Sequence, residues 1–166
     1  AENGEKITTL DGIERELNSE MLVIADENQP VAVAGVMGGE FSGIMDDTET
    51  IVFESACFNG ASVRRTAKAL GMRTEASSRY EKELNPSSCR TCLERALQLV
   101  QMLDAGDVVN GVVDCYKTVK EQVVLDFDPD WVNGFIGIDV SADEQKKILE
   151  NIGFEVKDGK IYSPYF

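Results

Sequence analysis

The sequence has 166 residues, of which 43% are hydrophobic and 28% are charged, and its formal net charge at pH 7 is −14. This composition is typical of a globular protein, and no apolar run approaches the roughly 18 residues needed to cross a bilayer. The acidic balance argues against indiscriminate nucleic-acid binding, which depends on basic side chains meeting phosphates. The N-terminal residues do not resemble a secretory signal. Because the sequence lacks an initiator methionine, we expect a fragment of a longer protein.

The first predicted elements are strands. Segments 6–10 and 13–17 flank Asp11-Gly12, a dipeptide that readily supplies the positive φ values of a tight hairpin turn. Segments 21–25 and 31–35 are near-continuous apolar runs, which favours strands covered on two faces. The sequence therefore predicts a domain that opens with a hairpin and continues with two core strands.

A glycine-rich loop, GVMGGEFSGI, follows at residues 35–44 and precedes a predicted short buried strand at 51–55. The loop lacks the ending of a nucleotide P-loop and the spacing of a dinucleotide fingerprint, so it is either a pocket floor or a tight turn between strands. Glu54 lies near the end of the apolar strand. Its carboxylate either reaches solvent or, if partly buried, accepts a hydrogen bond from a ligand.

Two helices and a strand are predicted next. Residues 60–70 form a helix with Arg64, Arg65 and Lys68 on one face, ended by Gly71. The longest helix is predicted at 86–105, with Asn85 as its cap and a proline at its first position. Segment 107–119 then reads as a strand that closes the unit.

Positive charge concentrates at residues 64–82, where six basic residues stand against two acidic ones. The two interpretations are a solvated helix face and a local contact for phosphate groups. As candidates for the phosphate contact we single out four arginines, Arg64, Arg65, Arg73 and Arg79.

A second unit is predicted after the polar stretch 117–122, beginning with a strand at 123–127. Ser141 and Glu144 have the spacing of a capping box ahead of a helix at 143–152. Segment 154–166 then reads as a hairpin that turns at Asp158-Gly159.

The four cysteines form no predicted metal site, since the sequence contains no histidine and only Cys89 and Cys92 have a C-x-x-C spacing. We expect these two thiols to be partly buried apolar side chains one turn apart on the long helix. No histidine also means no Ser-His or Cys-His pair, so we assign no catalytic side chain and expect a positioned water to carry any hydrolysis.

Two stretches, GVMGGEFSGIMDDTETIVFESACF and ALGMRTEASSRYEKELNP, together resemble the editing domain of the bacterial phenylalanyl-tRNA synthetase beta-subunit family. The resemblance implies that residues 1–118 are an editing domain whose N-terminal part is missing, and that 119–166 begin the next module. It also implies an α+β fold, with mixed β-sheet layers flanked by helices in a layered β/β/α sandwich, and a truncated second small α+β unit.

The resemblance implies hydrolysis of tyrosine wrongly attached to the phenylalanine tRNA. By position, Glu54 matches the glutamate that recognises the tyrosine phenol, Gly38 a glycine of the pocket wall, and Thr74 and Ala76 residues that line the same cavity. The family also uses a histidine from a segment that would precede Ala1, and this chain has none.

The parent enzyme of this family is a cytoplasmic ligase that attaches phenylalanine to its tRNA using ATP and Mg²⁺, as an (alpha beta)2 heterotetramer. The resemblance places those cofactors outside this fragment, so we expect no metal or cofactor here and the isolated fragment to be weak or inactive. The expected partners are the phenylalanine tRNA and the alpha subunit, with no membrane and no DNA. Two alternatives stay open: a non-catalytic tRNA-docking module of the same subunit, and a stand-alone relative that binds an aromatic amino acid.

Overall fold

The computed structural model describes residues 1–117 and 119–164 and divides the chain into two compact units, Ala1–Val109 and Asn110–Phe166. The first unit opens with strands β1 (Lys6–Thr8) and β2 (Glu14–Glu16), which pair antiparallel. The turn between them closes where the Gly12 N–H donates to the Thr9 carbonyl oxygen at 2.8 Å. The hairpin predicted at this position is confirmed.

A three-stranded antiparallel sheet follows, in the order β3-β4-β5. Its strands are β3 (Val23–Ala25), β4 (Pro30–Val33) and β5 (Met37–Gly38). The predicted strands at 21–25 and 31–35 are therefore confirmed, although both are shorter than expected. Coverage on two faces holds better for β4, which is buried at both ends, than for β3, whose last residue is exposed.

Three helices complete the first unit: α1 (Gly60–Ala69), α2 (Glu75–Tyr80) and α3 (Ser88–Met102). The Asn59 side chain caps α1 by accepting from the Ser62 N–H at 2.9 Å. Both long helices are confirmed with slightly shorter bounds. In place of a helical cap, the Asn85 side chain accepts from the Ser87 N–H at 3.1 Å, in a turn that leads into α3. Helix α2 was not predicted.

The core of the first unit joins the hairpin, the sheet and α1. Apolar side chains from these three elements and from the segments that adjoin them exclude water from one another, which is the main favourable term in folding. The buried members are Ile7, Leu17, Met21, Val33, Val36, Val63, Ala67 and Met72. Helix α3 contributes no fully buried residue, so it packs more loosely than α1.

Two predicted strands, at 51–55 and 107–119, are wrong. Residues 51–55 and 107–117 have no strand geometry, and the side chains of Val52 and Val113 are 94% and 99% exposed. Thr118 lies outside the described residues. A strand needs a neighbour to pair its backbone groups, and no strand of the described part of the chain pairs with either segment. Apolar composition alone does not supply that neighbour.

The second unit holds a three-stranded antiparallel sheet in the order β6-β8-β7 and two helices. Its elements are β6 (Val124–Asp126), α4 (Pro129–Ile136), α5 (Ala142–Asn151), β7 (Glu155–Lys157) and β8 (Lys160–Tyr162). The hairpin turn at Asp158-Gly159 is confirmed, with φ values of 52° and 71°. The α5 cap is confirmed as well, because the Ser141 side chain accepts from the Glu144 N–H at 3.3 Å.

Helix α4 was missed although its sequence carries the usual signals. Asp128 caps it by accepting from the Trp131 N–H, Pro129 occupies its first position, and Gly137 ends it in the left-handed conformation. With antiparallel sheets and five helices among the described residues, the α+β class is confirmed. None of the helices in residues 1–117 and 119–164 is long and apolar enough to span a bilayer.

Candidate functional site

The glycine segment, residues 34–38, runs from the end of β4 through β5 and packs against the rings of Phe58 and Tyr80. Gly35 has a φ of 67°, and a Cβ atom there would lie 2.9 Å from Phe58 Cδ2 and 3.0 Å from Val63 Cγ2. The rings of Phe58 and Tyr80 stand 5.0 Å apart at 53°, a tilted arrangement that favours contact between ring edge and ring face. The segment is therefore held close to the start of α1 and the end of α2.

Gly38 belongs to β5 and pairs with Ala32 of β4. A Cβ at Gly38 would lie 3.0 Å from Cδ1 of Leu10, so the Leu10 side chain covers this position. Of the two interpretations of the glycine loop, the geometry around Gly38 matches a tight turn between strands. The site role carried over for Gly38 stays a prediction.

Thr74 joins α2 to the glycine segment. Its Oγ1 donates to the Val36 carbonyl oxygen at 2.7 Å and accepts from the Ser77 N–H at 3.0 Å, while its own N–H donates to Ser77 Oγ at 2.9 Å. This reciprocal capping box starts α2, and the Val36 carbonyl that Thr74 contacts lies two residues before Gly38 in the sequence. Ala76 is half-buried in the first turn of the same helix. The structure thus brings Thr74 into contact with the glycine segment, and Ala76 follows two residues later in α2.

Glu54 lies in the irregular segment before α1 and is exposed to solvent. The carboxylate forms no hydrogen bond or ion pair with the residues that the structure describes, yet partial desolvation raises its pKa above the ordinary value. Burial raises the pKa of the Tyr80 phenol, and the charge of Glu54 raises it further. Glu54 is therefore within electrostatic range of Tyr80, which itself contacts the glycine segment.

Two grooves of about 650 Å³ and 590 Å³ lie along the basic face of α1. Both are lined by Arg64, Lys68, Glu81 and Lys82; Arg65 and Glu83 line the first, and Arg73 lines the second. Three of the four predicted phosphate-contact arginines therefore converge on these grooves.

The fourth predicted contact, Arg79, lines neither groove and lies 3.5 Å from the Glu75 carboxylate on the exposed face of α2. Neither groove is lined by Glu54, Gly38, Thr74 or Ala76. The basic face of α1 and the glycine segment are thus separate features of the first unit.

Sequence reasoning missed the contributions of Phe58 and Tyr80. The signal for Tyr80 was the T-x-x-S spacing of Thr74 and Ser77, which predicts a helix start and places an aromatic residue at the end of a short helix. Nothing local in the sequence identifies Phe58, because its partner ring lies 22 residues away along the chain. In the described ranges, no group of three or more cysteine, aspartate or glutamate side chains is placed to hold a metal ion.

Comparison with known proteins shows the family to which this chain belongs. The model of the B3/4 domain matches residues 1–105, so the chain belongs to the B3/4 domain family. The chain is also similar to proteins named phenylalanine–tRNA ligase beta subunit. It is 43% identical over its whole length to the one of Clostridium acetobutylicum and covers 22% of that protein.

It is 46% identical, over 93% of its length, to the beta subunit of Moorella thermoacetica, of which it covers 19%. The corresponding protein of Carboxydothermus hydrogenoformans is 44% identical over 96% of this chain and is covered to 20%. The chain therefore spans about a fifth of the length of these curated relatives. The resemblance predicted from the motifs between residues 35 and 86 is confirmed.

Proposed function

We propose that this chain is the editing portion of a phenylalanine–tRNA ligase beta subunit, and that it hydrolyses tyrosine mistakenly attached to the phenylalanine tRNA. The observation that carries the proposal is the match of the whole chain to ligase beta subunits, together with the B3/4 match over residues 1–105. The hydrogen bond from Thr74 to the Val36 carbonyl oxygen supports it, since it brings one of the residues that resemble the pocket to the glycine segment.

Editing of this kind depends on an asymmetry between adding and removing a hydroxyl group. A hydrophobic pocket that selects phenylalanine discriminates only about a hundredfold against a ligand that merely adds a hydroxyl. A second site with a dedicated hydrogen-bond acceptor rejects the analogue that lacks the hydroxyl far more strongly. Glu54 is the acceptor in this proposal, because its carboxylate has no hydrogen-bond partner among the described residues and its raised pKa reports partial desolvation.

The basic grooves are the proposed contact for the tRNA backbone. Arg64, Arg65, Lys68, Arg73 and Lys82 line them, and they lie in a chain whose net charge is −14. A local cluster of cations in an acidic protein attracts phosphates to one place without binding nucleic acid indiscriminately. The remainder of the ligase supplies the main grip on the tRNA.

Water is the proposed nucleophile, and this chain's own residues orient the ester rather than attack it. Aminoacylation of the tRNA requires ATP and Mg²⁺, which act elsewhere in the complete cytoplasmic enzyme with its alpha subunit.

A non-catalytic tRNA-docking module is the second candidate. The observation that favours it is the position of Glu54, which is exposed and lines neither groove, whereas basic side chains outnumber acidic ones in the lining of both grooves. A docking module would keep the basic face and would have no use for the carboxylate.

The experiment that separates the two candidates is deacylation of the phenylalanine tRNA charged with tyrosine. The rate is measured for the complete ligase and for this chain alone. We expect the complete enzyme to release tyrosine rapidly and this chain to be weak or inactive. A complete enzyme that binds the mischarged tRNA yet releases tyrosine no faster than buffer would contradict editing and support docking.

A further inference from the structure

Two cysteines that the proposed function does not use lie in contact. The Sγ atoms of Cys57 and Cys89 are 3.5 Å apart, and both residues are half-buried. Cys57 belongs to the irregular segment before α1, and Cys89 lies in the first turn of α3. The contact joins positions 32 residues apart in the sequence, and nothing in the local spacing of the cysteines predicted it.

A neighbouring hydrogen bond holds the same two segments together. Ser55 Oγ donates to the carbonyl oxygen of Cys89 at 2.8 Å. The chain from Ser55 to Cys57 is thus fixed against one residue of α3 by a hydrogen bond and a sulfur contact. The two sulfurs therefore lie close together within an interface that a hydrogen bond also stabilises.

Metal binding does not account for this pair. A structural zinc ion takes four ligands, usually cysteine and histidine. The chain has no histidine, and no cluster of three or more potential ligands occurs in residues 1–117 and 119–164. Two thiols in contact without a metal are positioned for covalent bonding to each other.

We propose that Cys57 and Cys89 are a reversible disulfide modification site, oxidised by a low-molecular-weight disulfide. The thiolate of one cysteine attacks a sulfur of the small disulfide and displaces one small thiol, which leaves a mixed disulfide on the protein. The thiolate of the other cysteine attacks the protein sulfur of that bond and displaces the second small thiol. One disulfide bond forms in the protein, one is lost from the oxidant, and two small thiols carry away the protons and electrons.

The geometry favours this pair over the other possible pairings. A disulfide bond is about 2.05 Å long, so the two sulfurs must approach by roughly 1.5 Å. A rotation of the Cys57 side chain with a small backbone shift of its irregular segment supplies this approach. Cys92 is exposed one turn further along α3, and Cys115 belongs to the second unit.

The bond would tie the segment that carries Glu54 covalently to α3 and enclose α1 and α2 in one loop. Cross-linking residues this far apart restricts the unfolded chain, so the oxidised form is the more stable one. The bond itself does not depend on the editing proposal, because the chemistry involves only the two thiols and the oxidant.

The test is incubation of the whole chain with glutathione disulfide, followed by alkylation of remaining thiols, proteolysis and mass spectrometry. We expect a peptide cross-linked between Cys57 and Cys89 that dithiothreitol releases, and a higher melting temperature for the oxidised chain. Cys115→Ser should leave the cross-link intact, and Cys57→Ser should abolish it.

A double variant, Cys92→Ser with Cys115→Ser, keeps the pair alone and checks the result without disturbing the contact. It should still lose both of its alkylatable thiols on oxidation. The proposal is overturned if Cys89 stops at a stable mixed disulfide with glutathione, if a bond between Cys89 and Cys92 predominates, or if all four thiols stay alkylatable.

Discussion

Gly35 occupies a position that no larger residue fits without a shift of its surroundings. Its φ of 67° is unfavourable for residues with a Cβ, and the added atom would press on Phe58 and Val63. We expect Gly35→Ala to lower the free energy of unfolding by about 2–6 kcal/mol, since backbone strain and overpacking each cost about 1–3 kcal/mol.

The matched control for Gly35 is Gly12→Ala, where φ is 74° but no atom lies within 4 Å of the added Cβ. It should show the backbone cost alone in urea unfolding. Equal losses for the two variants would mean that the packing beneath the rings contributes nothing.

Thr74 is expected to stabilise the site through its hydroxyl group. Thr74→Val keeps the shape of the side chain but leaves the Val36 carbonyl and the Ser77 N–H without their partner. We expect a loss of about 1–2 kcal/mol in unfolding free energy, the usual cost of a lost helix cap. Thr74→Ser retains the hydroxyl and should recover most of the loss. If the serine and valine variants are equally unstable, the hydroxyl is not the stabilising group.

Glu54 gives the fold a small pH dependence. Its folded-state pKa is raised by desolvation, so the folded protein binds this proton more tightly than the unfolded chain does. The contribution of Glu54 to stability therefore falls as pH rises from about 4 through the raised pKa. We expect Glu54→Gln to gain stability relative to the wild type over that window, measured by urea unfolding at a series of pH values. A gain that is the same at all pH values, or a loss that grows with pH, would contradict this.

At the scale of elements, the basic face of α1 leads to a prediction about deacylation that does not apply to α3. Arg64 lines both grooves, so Arg64→Glu in the complete ligase should slow deacylation of tyrosyl-tRNA, most strongly at low salt. Arg95→Glu is the matched control, because Arg95 is an exposed residue of α3 that lines neither groove. Arg79→Glu tests the remaining predicted contact. Equal deacylation rates for Arg64→Glu and the wild type at low salt would mean that the two grooves do not contact the tRNA.

The elements also show what the sequence alone determines. The hairpins at Asp11-Gly12 and Asp158-Gly159 and the capped helices α1 and α5 were predicted because their signals are local. The strand predicted at 51–55 failed because pairing depends on a distant neighbour, which no local pattern names.

The same distinction divides the site. The motif residues that resemble an editing pocket were recognisable as a pattern, and Thr74 does contact the glycine segment. The contacts of Phe58 with Tyr80 and of Cys57 with Cys89 bring together residues far apart in the chain. Such contacts between distant residues can be identified only from the three-dimensional structure.

At the scale of the whole molecule, the chain is acidic and has a local basic face, and the proposed editing site distinguishes its substrates by one hydroxyl group. The two features make different demands on the ligase. In the proposed function, the grooves act on the tRNA whichever amino acid it carries, whereas Glu54 acts only where tyrosine and phenylalanine differ. Selectivity between the two esters therefore reports the carboxylate without the contribution of the grooves.

The most direct measurement is the ratio of kcat/KM for tyrosyl-tRNA over phenylalanyl-tRNA in deacylation by the complete ligase, for the wild type, Glu54→Ala and the nearby exposed control Glu49→Ala. Alanine is used because a glutamine amide oxygen would still accept the hydrogen bond. A hydrogen bond to a charged acceptor contributes about 1.5–3 kcal/mol, so we expect Glu54→Ala to lower this ratio by roughly tenfold or more. Glu49→Ala should leave it unchanged. A ratio in Glu54→Ala equal to that of the wild type would contradict the role of Glu54 in selecting tyrosine.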